Sequence, residues 1–301
     1  MESWINYLFA LGAAFCWAIS APVLNIGFRR ISKAESRGKL WTIGLCTVIA
    51  MTMGSLLLGA TLIALQQPLR VLGSPAVIAA GLFTFPIATG FYYLASLSLS
   101  AQTQVASLFA KVKPLFSIAL AVFVLKQGLV LTEYLAVGFI VLGLFAFSRG
   151  LKLGLGAFNG LTLGLASAAA WALGELFVDI GFDGSANLSN SFQALVSATI
   201  LSAGLILVLK PKVIPDVISP KLFLPFMFHG VVSFAIGYTL FFTSIVRIGM
   251  VKSVIIVAFW PLLSLILTGI INRIQDRENT VSPMVWLSAC LFAAASAIQI
   301  F

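Results

Sequence analysis

The sequence is poor in charge. Only 9% of its 301 residues are Asp, Glu, Lys or Arg, whereas soluble domains carry about a quarter. The hydrophobic fraction is 60% and the mean hydropathy is +1.10. The longest polar interval, RRISKAESRGK over residues 29–39, is too short for a soluble domain. The composition predicts an integral membrane protein that contacts the lipid bilayer. The net charge of +9 therefore concerns orientation in the membrane, and no basic globular surface remains for nucleic acid.

Histidine and cysteine, two common metal ligands, are also scarce. The chain has one histidine, His229, and three cysteines, Cys16, Cys46 and Cys290, which fall inside apolar stretches without ligand spacing. The HExxH and GxSxG patterns of metalloproteases and hydrolases are absent from the sequence. We therefore expect no metal site, no cofactor and no enzymatic activity.

Ten apolar stretches are long enough to cross a bilayer core, which takes about 20 residues of helix. They run over residues 5–27, 41–64, 75–97, 102–124, 130–148, 157–181, 188–209, 222–246, 252–271 and 281–300. The first stretch lacks a small-residue cleavage site and is interpreted as a retained helix. The pattern predicts an all-α, multi-pass protein with ten transmembrane helices, in a bacterial or archaeal cytoplasmic membrane, as a monomer or homodimer.

The two halves of the chain resemble each other at fixed offsets. FALGAAFCWAIS (9–20) aligns with LGLASAAAWALG (163–174), which places Trp17 over Trp171 at an offset of 154 residues. At an offset of 147 residues, IATGFYY (87–93) aligns with FAIGYTL (234–240), and VKPLFSIAL (112–120) with FWPLLSLIL (259–267). These matches predict two repeats, residues 1–150 and 151–301, with five helices each.

An odd number of helices per repeat inverts the second repeat in the membrane relative to the first. Inverted repeats are typical of secondary transporters, whose substrate site lies near the bilayer midplane between the repeats. Ionisable side chains at that depth are costly, so they normally face a partner or a water-filled cavity. The candidates are Lys111, Lys113, Glu175, Asp179 and His229.

The fourth stretch carries a polar stripe. Gln104, Ser107, Lys111 and Pro114 recur at spacings of three and four residues, as on one face of a helix. Lys113 lies about 200° around the helix from Lys111, so the two lysines cannot both face one cavity in a straight helix. We predict that Lys111 lines the cavity with Gln104 and Ser107 and binds an anionic group of the substrate. The alternative, stronger for Lys113, is pairing with a neighbouring helix or extension toward the membrane surface.

Proline inside this stripe predicts a hinge. Pro114 lacks a backbone donor and clashes with the preceding turn, which bends helices. Its counterpart at the offset of 147 residues is Pro261, and Ser117 has the counterpart Ser264. Both prolines are therefore predicted hinge positions.

The sixth stretch supplies the opposite charge. Trp171, Glu175 and Asp179 are spaced four residues apart and share one face of a helix. Their counterparts at the offset of 154 residues are Trp17, Ala21 and Asn25. The two tryptophans and Asn25 are predicted to line the substrate pathway. Glu175 is predicted to bind an amino group of the substrate or a coupling proton, with Asp179 as the shallower alternative.

His229 is a second candidate for proton coupling, because an imidazole titrates near neutral pH. A histidine held by a hydrogen bond to a neighbouring helix is the structural alternative. Tyr92, Tyr238 and Trp260 place amphipathic aromatic side chains in or beside the repeated segments. They are predicted to contact the substrate.

These segments resemble the EamA domains of the drug/metabolite transporter superfamily. The resemblance rests on FCWAIS and AAWALG, on GFYYLASLSLSAQ through ASLFAKVKPLFSIAL, and on LTEYLAVGFIVLGLFAF with Gly138 and Gly143. It implies a central cavity lined by the first, third, fourth, sixth, eighth and ninth helices. By position, the resemblance implicates Trp17, Tyr92, Lys111, Trp171, Tyr238 and Trp260.

The chain departs from the family pattern at three lysines. Lys126 stands where these domains commonly have Glu, and Lys111 and Lys113 are unusual before the proline. The two lysines suggest an anionic or zwitterionic substrate. The expected function is a carrier or exporter of amino-acid-like or other small polar metabolites, working by alternating access, with protons as the expected coupling ion. The alternatives are an organic-anion or phosphate-ester exchanger and a lipid-carrier translocase.

Overall fold

The computed structural model describes residues 4–32, 38–98, 103–150, 158–184, 187–209, 218–274 and 282–301. It leaves out the side chains of residues 32, 39, 98, 103–110, 150, 158, 271, 272 and 274. The α-helices of these ranges are α1 (Trp4–Ser32), α2 (Lys39–Ala64), α3 (Pro75–Leu82), α4 (Thr89–Ser98), α5 (Thr103–Phe123), α6 (Leu131–Gly150), α7 (Phe158–Gly181), α8 (Asn187–Val208), α9 (Pro220–His229), α10 (Tyr238–Ile248), α11 (Met250–Val257), α12 (Trp260–Ile274) and α13 (Pro283–Ile300). Two π-helical segments, Phe83–Ala88 and Gly230–Gly237, join α3 to α4 and α9 to α10.

The predicted membrane architecture is confirmed. Nine helical segments in the described ranges are long and apolar enough to cross a bilayer. The remaining predicted span, the fourth, is the 21-residue helix α5, which runs continuously through Pro114. The expected count of ten therefore holds approximately. The predicted boundary between the repeats, after residue 150, adjoins residues 151–157, which lie outside the described residues.

Local sequence signals explain where some spans begin. Ser74 and Ser282 each precede a proline at the first helical position, where the missing amide hydrogen costs nothing. Each serine side chain accepts a hydrogen bond of 3.3 Å from an amide of the first turn. This N-capping satisfies a backbone donor that a membrane would otherwise leave unpaired.

The third span of each repeat has an unusual helical geometry at a corresponding place. α3 is followed by the π-helical segment Phe83–Ala88, and α9 by the segment Gly230–Gly237. Pro86 lies inside the first segment and removes a backbone donor there, whereas the second segment contains no proline. π-helical turns are rare and often occur at functional sites. Both segments lie in or next to the candidate site described below.

The repeats interlock through two equivalent glycines. A Cβ atom at Gly81 would overlap the backbone of Ala194 on α8, and a Cβ atom at Gly230 would overlap the backbone of Ala50 on α2. In each case the third span of one repeat packs directly on the second span of the other. The paired close contacts fit two repeats related by a pseudo-two-fold axis.

Apolar side chains cover the outside of the helices as well as the core. On α2, Leu56 and Ile63 are 61% and 63% exposed, whereas Ala50 and Leu62 are fully buried. An outward face of this kind would be unfavourable in water and suits lipid. The outward face of α2 therefore suits contact with lipid, and its other face packs in the core.

Candidate functional site

A central cavity lies between the two repeats. Its volume is about 70 Å³, enough for several water molecules. The first repeat lines it with Trp17, Ser20, Ala21, Leu24, Thr89, Tyr92 and Lys113, and the second repeat with Trp171, His229, Ser233, Phe234, Tyr238 and Trp260. Because both repeats contribute to its wall, a relative movement of the repeats would change the cavity.

Two aromatic pairs frame this cavity. The ring centroids of Trp17 and Tyr238 are 5.1 Å apart, and those of Tyr92 and Trp171 are 5.6 Å apart. Each pair joins the first helix of one repeat to the third span of the other. The four rings give the wall an apolar surface whose indole and phenol groups can still donate hydrogen bonds.

A buried ion pair crosses between the repeats. Lys113 Nζ on α5 lies 2.6 Å from Glu175 Oε1 on α7, and their side chains are 8% and 2% exposed. Ser117, one turn beyond Lys113, donates a hydrogen bond to Glu175 Oε2. Lys113 lines the cavity, while Glu175 lies behind it. A molecule in the cavity therefore meets the ammonium before the carboxylate.

Aromatic faces surround the same ammonium. Lys113 Nζ lies 4.6 Å from the ring centroid of Phe241 and 5.1 Å from that of Trp17. The faces of these rings carry partial negative charge and attract a cation. Together with Glu175 they hold the lysine at the wall of the cavity without supplying further formal charge.

His229 belongs to a hydrogen-bond chain on the same wall. Its Nδ1 atom lies 3.2 Å from Ser20 Oγ on α1, which lies 2.5 Å from Ser233 Oγ in the second π-helical segment. The chain of three polar groups ties the first helix to the eighth span. In the described part of the chain, no group of three His, Cys, Asp or Glu side chains is arranged to hold a metal ion.

A second, smaller cavity of about 20 Å³ adjoins the first. It is lined by Ala21, Asn25, Tyr92, Lys111, Phe147, Pro261, Ser264, Leu265, Thr268 and Val285. Ala21 and Tyr92 line both cavities. Lys111 is 3% exposed, and its Nζ atom lies 3.9 Å from the ring centroid of Phe147.

The structure separates the residues that the sequence grouped together. Trp17, Tyr92, Trp171, His229, Tyr238 and Trp260 line the central cavity, and Asn25, Lys111 and Pro261 line the smaller one. Asp179 is half-buried on α7 and lies outside the walls of both cavities, and Pro114 is buried beside Lys113. The side chains of Gln104 and Ser107 lie outside the described residues. The roles of all these residues stay predictions.

Sequence reasoning gave Lys113 the lesser role, yet Lys113 is the lysine that faces the central cavity. The predicted stripe of Lys111 stays a prediction, since the side chains of Gln104 and Ser107 are not described. Spacing alone does not say which face of a helix a neighbouring helix covers. The repeated Ser117 and Ser264 were an available signal, because Ser117 lies four residues from Lys113 and thus on its face. No sequence pattern of this kind marked Ser20 or Ser233 as cavity residues.

The comparisons with known proteins agree with this architecture. The model of the EamA-like transporter family matches residues 4–149 and again residues 158–298. No curated protein matches the chain. A crystal structure described only as that of a protein is similar with a TM-score of 0.67 and 17% identity, over 97% of this chain and 95% of the other. At that identity the likeness shows the fold alone. The repeated family match over nearly the whole length shows that the chain belongs to the EamA-like transporter family.

Proposed function

We propose that the chain is a secondary transporter that moves small amino-acid-like or other polar metabolites across a bacterial or archaeal cytoplasmic membrane by alternating access. The observation that carries the proposal is the buried ion pair between Lys113 and Glu175 at a cavity shared by both repeats. Family membership supports transport of a small molecule, and the ion pair supports a charged or zwitterionic one.

The ion pair suits a site where a charged group of the substrate replaces one partner of the pair. Taking a carboxylate and an ammonium out of water is costly, and an apolar pair of similar size would often be at least as stable. Lys113 faces the cavity, so a carboxylate of a bound metabolite competes with Glu175 for the ammonium. An amino group of the same metabolite then compensates Glu175, since Lys113 has shifted toward the substrate carboxylate.

The aromatic wall suits the uncharged part of a metabolite. The Trp17 Nε1 donor is buried and has no hydrogen-bond partner among the described residues. A buried donor of this kind is unfavourable unless a ligand or water satisfies it. A polar group of the substrate can therefore bind Trp17 while its apolar part lies against Trp171, Tyr92 or Trp260.

Glu175 is the proposed coupling residue. Proton binding neutralises its attraction for Lys113 and frees the ammonium for a substrate anion, which links the two binding events. His229, which bonds to Ser20, is the competing candidate. Asp179 lies outside both cavity walls and is the weaker one.

The phosphate-ester alternative finds less support. A phosphate dianion is usually bound by several converging cations. In the described part of the central wall Lys113 is the one lysine, and it already pairs with Glu175. Lys111 lines the other cavity.

Counterflow in liposomes tests the proposal. The purified protein is reconstituted into liposomes that contain an unlabelled amino acid. These liposomes should take up labelled zwitterionic amino acids by exchange faster than the corresponding amines or carboxylic acids. Glu175→Gln should keep exchange but flatten the pH dependence of net uptake. The matched control is Asp183→Asn, which neutralises an exposed carboxylate just beyond the same helix.

Two results would contradict the proposal. Exchange no faster than in protein-free liposomes, for every amino acid tried, would refute the substrate class. An unchanged pH profile of net uptake in Glu175→Gln would refute coupling through this residue and turn attention to His229.

A further inference from the structure

The smaller cavity contains a buried lysine whose charge has no acidic partner in the described part of the chain. Lys111 is 3% exposed. The buried ion pair of the neighbouring cavity joins Lys113 to Glu175 and does not include Lys111. An uncompensated ammonium inside a membrane protein is strongly unfavourable, so such groups pair or face water or a ligand.

The aromatic neighbour does not neutralise this charge. Lys111 Nζ lies 3.9 Å from the ring centroid of Phe147, a favourable cation–π distance. The ring supplies a quadrupole but no formal negative charge. A counter-charge is therefore still needed on the cavity side of the ammonium.

The pseudo-symmetry of the repeats shows where that counter-charge belongs. At the first site, Lys113 faces the Glu175 carboxylate, which accepts from Ser117. The counterpart of Ser117 is Ser264 and that of Glu175 is Ala21, by the offsets of 147 and 154 residues. Both counterparts line the cavity of Lys111. The smaller cavity thus has the equivalent serine and an alanine in place of the carboxylate. Its lysine comes from the first repeat, because the position equivalent to Lys113 is Trp260.

Neutral donors complete the wall. Asn25, Ser264 and Thr268 all line the cavity, and hydroxyl and amide groups bind anions by hydrogen bonds. The Asn25 Oδ1 atom is buried and has no partner among the described residues, so turning the amide toward an anion would break no hydrogen bond of that oxygen. The volume of about 20 Å³ suits one water-sized group.

We propose that the smaller cavity binds one small monovalent anion, of halide or carboxylate chemistry, which balances Lys111 as Glu175 balances Lys113. The anion can be free chloride or the carboxylate of the transported metabolite, because Ala21 and Tyr92 line both cavities. The site goes beyond the proposed function and does not depend on it.

Thermal unfolding in detergent tests the site without any transport assay. At constant ionic strength, replacing gluconate by chloride or acetate should raise the Tm of the wild type saturably by a few degrees, since a ligand of the folded state stabilises it. Lys111→Met should abolish the shift. Lys126→Met, which removes an exposed lysine just beyond the same helix, should retain it.

A second variant supplies the missing carboxylate. Ala21→Glu places an acid at the position equivalent to Glu175, where it should pair with Lys111. Its Tm in gluconate should reach that of the wild type in chloride, with no further rise on adding chloride. If Ala21→Glu does not fold, the Lys111→Met comparison decides alone.

The outcomes separate the sources of the anion. A shift with amino acids but not with chloride or acetate assigns the site to the carboxylate of the substrate when Lys111→Met abolishes that shift. An equal shift with chloride or acetate in the wild type and Lys111→Met overturns the proposal. So does a shift with amino acids alone that Lys111→Met retains, or the absence of a shift with chloride, acetate and amino acids alike. Failure of counterflow with an intact chloride shift would refute the proposed function and leave the anion site standing.

Discussion

The two halves of the central cavity occupy equivalent positions in the two repeats but carry different chemistry. Lys113 and Glu175 form an ion pair on one side. Their counterparts, by the offsets of 147 and 154 residues, are Trp260 and Ala21, which line the same cavity. One half therefore offers charge, and the other offers an aromatic surface and space. Such a cavity can hold an unsymmetrical molecule in one orientation.

The contacts that hold the repeats together are symmetric instead. Gly81 meets Ala194 as Gly230 meets Ala50, and each first helix places a tryptophan against a tyrosine of the other repeat. The comparison indicates that the interlocking backbone is constrained in both repeats, because a side chain at either glycine would disturb close packing. The cavity side chains, in contrast, differ between the two halves.

Breaking the charged half should have the largest effect. Lys113→Met leaves Glu175 as a buried charge without its partner, which should lower the free energy of unfolding by about 3–5 kcal/mol and abolish counterflow. Denaturant titration in detergent measures the stability. In the double variant Lys113→Met/Glu175→Gln, stability should largely return while counterflow stays lost. A double variant as unstable as the single one would show that the two charges are not coupled.

Breaking the symmetric contacts should have the next largest effect, equal in both repeats. Gly81→Ala and Gly230→Ala each push a methyl group into the backbone of the other repeat, at an expected cost of about 1–3 kcal/mol. Gly90→Ala is the matched control, because a Cβ atom there meets nothing within 4 Å among the described residues. A clear difference between the two interlocking variants, measured by denaturant titration, would disprove their equivalence.

Filling the neutral half should change selectivity more than stability. Ala21→Leu occupies space beside Trp260, so bulky substrates should lose about tenfold in kcat/KM relative to the smallest one. Ala60→Leu, an alanine exposed on the outer face of α2, is the control for added bulk. The ratio of initial uptake rates for a small and a large amino acid measures this change in selectivity. An unchanged ratio would place the substrate away from Ala21.

Removing the histidine should have the smallest effect on folding. His229→Asn loses the hydrogen bond to Ser20, with an expected destabilisation of about 1 kcal/mol. Net uptake should keep its pH dependence if Glu175 is the coupling residue. A flat pH profile in His229→Asn, together with a normal profile in Glu175→Gln, would reverse the assignment.

Much of the fold could be predicted, because the composition and the spacing of apolar residues in a membrane protein largely determine its helices. Apolar stretches of about 20 residues must form helices, since the bilayer leaves no partner for an unpaired backbone. The matched offsets of Trp17 with Trp171 and of Pro114 with Pro261 then predicted two repeats. The π-helical segments were beyond this reasoning, because in the second one no proline marks the place.

The sequence by itself determined the class of this protein: an all-helical membrane chain of two inverted repeats, with a few ionisable groups at depth. Only the tertiary structure decided how those groups combine. Spacing showed that Lys111 and Lys113 lie on different faces of α5, but the packing of α5 against α7 placed Lys113 beside Glu175 and left Lys111 in a separate cavity. Helical period is a property of one segment, whereas the partner of a buried charge depends on which helix covers that face.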